Sequence, residues 1–248
     1  MDRLIYTAMT GAKHIMEKQA TTAHNLANAT TTGFRAQLDT FRAVPVQGAP
    51  LATRAFVVDA TVGTDFRQGA IQHTGRALDV AVQGPGWIAV RLPDGSEAYT
   101  RNGSLTVNEN GVLQTRDGHA VIADGGTVAV PPDVSVSIAK DGTVSANSTD
   151  FEPGATIMLG RIKLVNPPEQ ELVRGADGLF RLNGGGEAQE DANVTLIGGA
   201  LEGSNVNVVD SMVEMISHAR QFELHMNLLK NAESNEAKAG QLLSLSGG

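Results

Sequence analysis

The feature that most constrains this chain is a hydrophobic period that switches from helical to strand-like and back again. Residues 3–28 place apolar or small side chains at Ile5, Ala8, Ala12, Ile15 and Leu26, the spacing of one helix face. Residues 208–243 repeat the pattern, with Met212, Met215, Ala219, Phe222, Met226 and Leu229 at 3-4 spacing. In between the period falls to two. Leu78, Val80 and Val82 alternate with Asp79, Ala81 and Gln83, and Val134, Val136 and Ile138 alternate with Ser135 and Ser137. An isolated helix gains little stability until its apolar face is covered. Each end therefore needs a partner, either the other end or a neighbouring molecule, and patterning alone leaves both open.

The predicted fold class is α+β: N- and C-terminal helices paired as a coiled-coil-like α domain, with a central antiparallel all-β domain. Eight Asp-Gly or Asn-Gly pairs punctuate the middle, at Asp94, Asn102, Asn110, Asp117, Asp124, Asp141, Asp177 and Asn183, each suited to a tight hairpin. The expected boundaries are an N-terminal helix within 1–36, an extended connector over 37–74 that is mostly loop with a strand or two, and the β domain over 75–184. A return linker follows over 185–206, and a C-terminal helix over 207–248. Pro45 and Pro50 break any helix in the connector. Asn207 is placed to cap the last helix, with Asp210 three residues on. The first helix is less regular: Gln19 and Thr22 occupy positions on its main stripe. Met9, Met16, Ala23 and Ala27 form a second stripe beside it. Two stripes suit a helix touched by several neighbours. Six of the seven methionines lie in the terminal segments, where an adaptable side chain suits non-identical surfaces.

Composition narrows the function. A net charge of -8 opposes nucleic-acid binding, which needs clustered positive charge. With no cysteine, the chain has no disulfide, thiolate metal site or cysteine nucleophile. It holds no apolar run of membrane-spanning length, and Met1-Asp2-Arg3-Leu4-Ile5-Tyr6 lacks the pattern of a cleaved secretory signal, so neither insertion nor signal cleavage is expected. His218 and His225 stand two turns apart without a third ligand between them, which favours a packing or solvated role over a metal. Gln83-Gly84-Pro85-Gly86-Trp87 lacks the spacing of a phosphate loop and precedes a strand pattern, so it reads as a turn. No catalytic residue, cofactor or metal is expected.

Three words in the chain resemble those of flagellar rod and hook proteins. Asn25-Leu26-Ala27-Asn28-Ala29-Thr30-Thr31-Thr32-Gly33-Phe34-Arg35 is similar to their N-terminal signature. Glu202-Gly203-Ser204-Asn205-Val206-Asn207, followed by Glu214-Met215-Ile216 and Arg220-Gln221-Phe222-Glu223, resembles their C-terminal block, with Phe222 where the family usually has tyrosine. Thr74-Gly75-Arg76-Ala77-Leu78-Asp79-Val80 and Tyr99-Thr100-Arg101-Asn102-Gly103 look like their shared β domain. The resemblance implies a non-enzymatic rod subunit of the proximal type, with a distal-rod type as the alternative. A cell-wall hydrolase is the competing enzyme class, and a non-polymerising adaptor or cap a third.

The resemblance further implies export through the flagellar export apparatus without a cleaved signal, and a periplasmic place in the basal body. The implied partners are other rod proteins, like neighbours in a helical tube, and the export apparatus. It adds Asn25, Asn28, Gly33, Phe34 and Asn205 to the two helical stripes as the expected assembly interface.

Overall fold

The structure is a computed structural model that describes residues 2–45, 55–132, 134–148 and 156–245. It resolves into two compact units. One comprises residues 1–28, 36–65 and 206–248, and the other residues 29–35 and 66–205. The observed class is α+β, with a helix at each end and antiparallel strands between.

In the first unit, α1 (Asp2–Ala27) packs along α2 (Val208–Leu245). The side chain of Asn207 caps α2, its Oδ1 accepting from the N–H of Val209 at 3.0 Å and of Asp210 at 3.3 Å. These are N–H groups of the first turn, which have no partner inside the helix. The segment expected to be mostly loop is more ordered than its composition suggests. β1 (Gln37–Pro45) and β2 (Ala55–Thr64) pair antiparallel from Gln37–Thr64 to Pro45–Ala55, with a bulge between Thr40 and Phe41. In a two-stranded sheet both strands are edges, where a proline such as Pro45 is tolerated. Pro50 lies outside the described residues.

The second unit is built on a nine-stranded antiparallel sheet. Its main path runs Leu172–Arg174, Phe180–Leu182, Glu97–Thr100, Trp87–Arg91, Ala120–Ala123, Leu113–Thr115, Leu105–Val107. A three-stranded sheet, Val134–Ile138, Thr143–Ser148 and Thr156–Arg161, lies in the same unit. Strand Trp87–Arg91 is buried on both faces: Ile88 and Val90 join one apolar cluster with Val80, Val82 and Leu105, while Trp87 and Ala89 join another with Tyr99, Val165 and Phe180. Two covered faces explain why Trp87-Ile88-Ala89-Val90 is a continuous apolar run and does not alternate.

Seven of the eight Asp-Gly and Asn-Gly pairs supply a glycine with positive φ. Gly103 is the exception. A Cβ there would lie 1.7 Å from the Val80 carbonyl oxygen, so close backbone approach, not turn geometry, demands this glycine. The stretch expected to be a return linker also carries order. Thr195–Gly198 pairs with Val80–Gln83, and Ala200–Glu202 pairs with Ile71–His73. Each strand finds its partner more than a hundred residues back, a pairing that local pattern does not reveal.

Candidate assembly surface

On α1 the buried row is Ala8, Ala12, Ile15 and Thr22, with Leu26 half-buried. The side chain of Ile5 lies outside the described residues. Small residues on this row allow close approach: a Cβ added at Gly11 would sit 2.6 Å from Cε1 of His225 on α2. The second α1 stripe faces solvent. Met9 and Met16 are 55% and 58% exposed, and Tyr6, Ala23 and Ala27 are exposed with them.

On α2 the less exposed row is Ser211, Met215, His218, Phe222, His225, Leu229 and Ala232. It keeps strict 3-4 spacing but is not the stripe read from hydropathy. Met215, Phe222 and Leu229 belong to both. Met212, Ala219 and Met226 are exposed, and Ser211, His218 and His225 stand in the inward row instead. Choosing positions by apolarity alone favours methionine and alanine over histidine, whereas an imidazole beside a glycine packs well by shape. The Nδ1 atoms of His218 and His225 are buried and make no hydrogen bond among the described residues.

The outward face of α2 is itself apolar. Val209, Met212, Val213, Ile216, Leu224 and Leu228 are all at least half exposed. Val213, Ile216, Arg220 and Leu224 line a shallow groove of about 280 Å³ with Ser217 and Gln221.

The motif residues have two different occupations. Asn25, in the first unit, uses its side-chain amide like a peptide: Nδ2 donates to the Gln37 carbonyl and Oδ1 accepts from the Gln37 N–H, both at 2.9 Å. Each such bond contributes about 0.5–1.5 kcal/mol and ties the start of β1 to α1. Asn28 Nδ2 donates to the His24 carbonyl at the helix end. Thr21 Oγ1 donates to Asp39 Oδ1 at 3.0 Å.

Gly33, Phe34 and Asn205 belong to the second unit. Phe34 is buried under the Arg174 guanidinium, whose Cζ lies 4.4 Å from the ring centroid. Burial lowers the pKa of Arg174, and its Nη1 donates to the Arg35 carbonyl at 2.8 Å. Gly33 has φ +69°, and a Cβ there would meet the Arg101 backbone at 2.4 Å. Asn205 Nδ2 donates to the Arg67 carbonyl. Phe34 thus spends its ring on packing inside its own unit.

At the centre of the second unit lies a charged cluster that sequence reading did not assemble. Glu202 is fully buried, with Arg35 in close ion contact at 2.6 Å and Arg101 at 3.0 Å. Arg101 also donates to the carbonyls of Val82 and Gly84. Burial is the main cause that lowers the Arg101 pKa, and the Glu202 carboxylate opposes it. Both guanidiniums lie beside Trp87, at 5.9 and 5.4 Å from its ring centroid. Removing one member of such a buried set costs about 3–5 kcal/mol, because the remaining charge stays desolvated. All three charged residues fall inside the quoted motifs. Their pairing spans 101 residues between Arg101 and Glu202, so no local period signals it.

Among the described residues no group of three or more histidine or acidic side chains converges as metal ligands, and no helix is long and apolar enough to cross a membrane.

Three family models match in chain order: "Flagella basal body rod protein" over residues 5–35, "Flagellar hook protein FlgE/F/G D1 domain" over 81–146, and "Flagellar basal body rod FlgEFG protein C-terminal" over 197–242. The chain is 46% identical to flagellar basal-body rod protein FlgF of Salmonella typhimurium over 99% of its own length and 100% of the relative's. It is 47% identical to the FlgF protein of Escherichia coli K12 over the same shares. Against flagellar basal-body rod protein FlgG of Bacillus subtilis, identity is 31% over 94% of this chain and 96% of the relative.

Proposed function

The chain belongs to the flagellar basal-body rod protein family as a FlgF-like structural rod subunit, and from that premise we propose that it assembles through the outward faces of α1 and α2. The observation that carries this reading is the second apolar face of α2. One row is used against α1, and the other, centred on Val213, Ile216 and Leu224, is exposed. The matching α1 surface is the stripe of Met9 and Met16.

In this reading α1 and α2 pair as a coiled coil, and each subunit added covers a face that its predecessor leaves open. Ordering and polymerisation then reinforce one another, because helical stability comes mostly from packing of the apolar face. A contact between two different faces, repeated with a helical rotation, generates an open filament, here a hollow axial tube that transmits torque and leaves a channel for export. Identity of 46% and 47% to the FlgF proteins of Salmonella typhimurium and Escherichia coli, against 31% to FlgG of Bacillus subtilis, supports a proximal-rod position. The neighbours are other rod proteins and like subunits, reached by the flagellar export apparatus without signal cleavage, in the periplasmic part of the basal body. No catalytic role belongs to this reading.

The test replaces the cellular protein with Ile216→Asp or Leu224→Asp. Both are expected to vanish from isolated basal bodies while the purified proteins keep wild-type circular dichroism and unfolding midpoints. Incorporation at wild-type levels would overturn the assignment of this face.

A further inference from the structure

The chain passes between its two units at four points, after residues 28, 35, 65 and 205. The second-unit segments that border these points are joined to one another. The Gly33 N–H donates to the Glu202 carbonyl at 2.7 Å, the Asn205 N–H to the Phe34 carbonyl at 3.3 Å, and the Gly203 N–H to the Ala70 carbonyl at 2.8 Å. The Glu202 side chain adds the centre: Oε1 accepts the Gly69 N–H at 2.9 Å and stands in ion contact with the Arg35 guanidinium at 2.6 Å, while Oε2 accepts from Arg101 Nη1 at 3.0 Å. One buried carboxylate is thus shared by three segments distant in sequence.

We propose that Glu202 is a latch that docks residues 29–35, 66–70 and 203–205 onto the β sheet in the free subunit, so that these segments are ordered before assembly. The physical reason is cooperativity. Two buried guanidiniums share one carboxylate, so withdrawal of any single segment strands desolvated charge or an unpaired peptide N–H. The segments therefore open together or not at all. The segments that enter the helical unit then start from fixed points, and the boundary of ordering on assembly falls at residues 28, 35, 65 and 205. The consequence for assembly rests on the reading above; the latch itself does not.

Hydrogen exchange on the free full-length chain tests it. The amides of Gly33, Gly69 and Gly203 are expected to exchange on the timescale of Ile88 and Val90. Glu202→Gln is expected to speed those three by about tenfold or more while Ile88 and Val90 keep their protection. Emission from Trp87, the chain's single tryptophan, should shift to longer wavelength in the same variant. Fast exchange of the three glycines in the wild type, or no change in the variant, overturns the latch.

Should Glu202→Gln fail to fold, the wild-type exchange still decides, and Arg101→Met supplies a second variant with the same expected signature. Arg101→Met should also cost less in the Glu202→Gln background than in the wild type, because it then removes a stranded charge. Strict additivity would count against the latch. Strong protection of α1 and α2 in the free chain would instead refute coupled ordering and leave the latch standing.

Discussion

The Tyr99 phenol shows how burial at one residue sets a pH response. Its oxygen accepts the Ala188 N–H at 2.7 Å, and its side chain is fully buried against Trp87 and Phe180. Desolvation raises its pKa above the ordinary tyrosine value. The Ala188 hydrogen bond opposes that rise, and Glu97 adds to it. The folded chain therefore holds this proton longer than the unfolded chain does. Its contribution to stability is complete below the unfolded value of about 10 and is lost as pH climbs beyond it. We expect the phenolate absorbance of Tyr99 to appear only above the ordinary tyrosine range, in step with loss of the fold. Tyr99→Phe should abolish that late rise and flatten the fall of stability with pH. At this scale the sequence marks the right words but not their work. Asn25 and Glu202 both stand in motifs visible by eye, yet Asn25 bonds to the start of a strand twelve residues on and Glu202 to residues more than a hundred away.

At the scale of elements, α1 and α2 meet through a row whose spacing is legible and whose membership is not. Helical period alone predicts rows at 3-4 spacing on both helices. Which α2 row turns inward is decided by α1, where Gly11 makes room for the His225 ring. A leucine at Gly11 would fill that room and force the helices apart, an overpacking cost of about 1–3 kcal/mol. Gly11→Leu is accordingly expected to lower the helical circular dichroism signal and leave Trp87 emission unchanged. An unaltered helical signal would mean that the two helices do not depend on this contact. Strands 195–198 and 200–202 teach a related lesson. Their short, polar-flanked composition resembles a linker, and only partners contributed by residues 71–73 and 80–83 make them strands.

For the whole molecule, the division into two units predicts two unfolding transitions. The β unit buries a double-faced sheet and a charged cluster, whereas the helical unit leaves apolar faces of α1 and α2 in solvent. Denaturant titration followed by helical circular dichroism should show an earlier midpoint than Trp87 fluorescence; coincident curves would indicate a single cooperative unit. The sequence by itself determined the class of fold, the helical ends, most of the tight turns and the family, because these rest on local period, turn chemistry and short words. The tertiary structure alone decided which helix rows are spent inside the chain, that the return segment carries strands 195–198 and 200–202, and that Arg35, Arg101 and Glu202 form one buried cluster. Each of those outcomes depends on contacts between residues far apart in sequence, and such contacts leave no periodic trace along the chain.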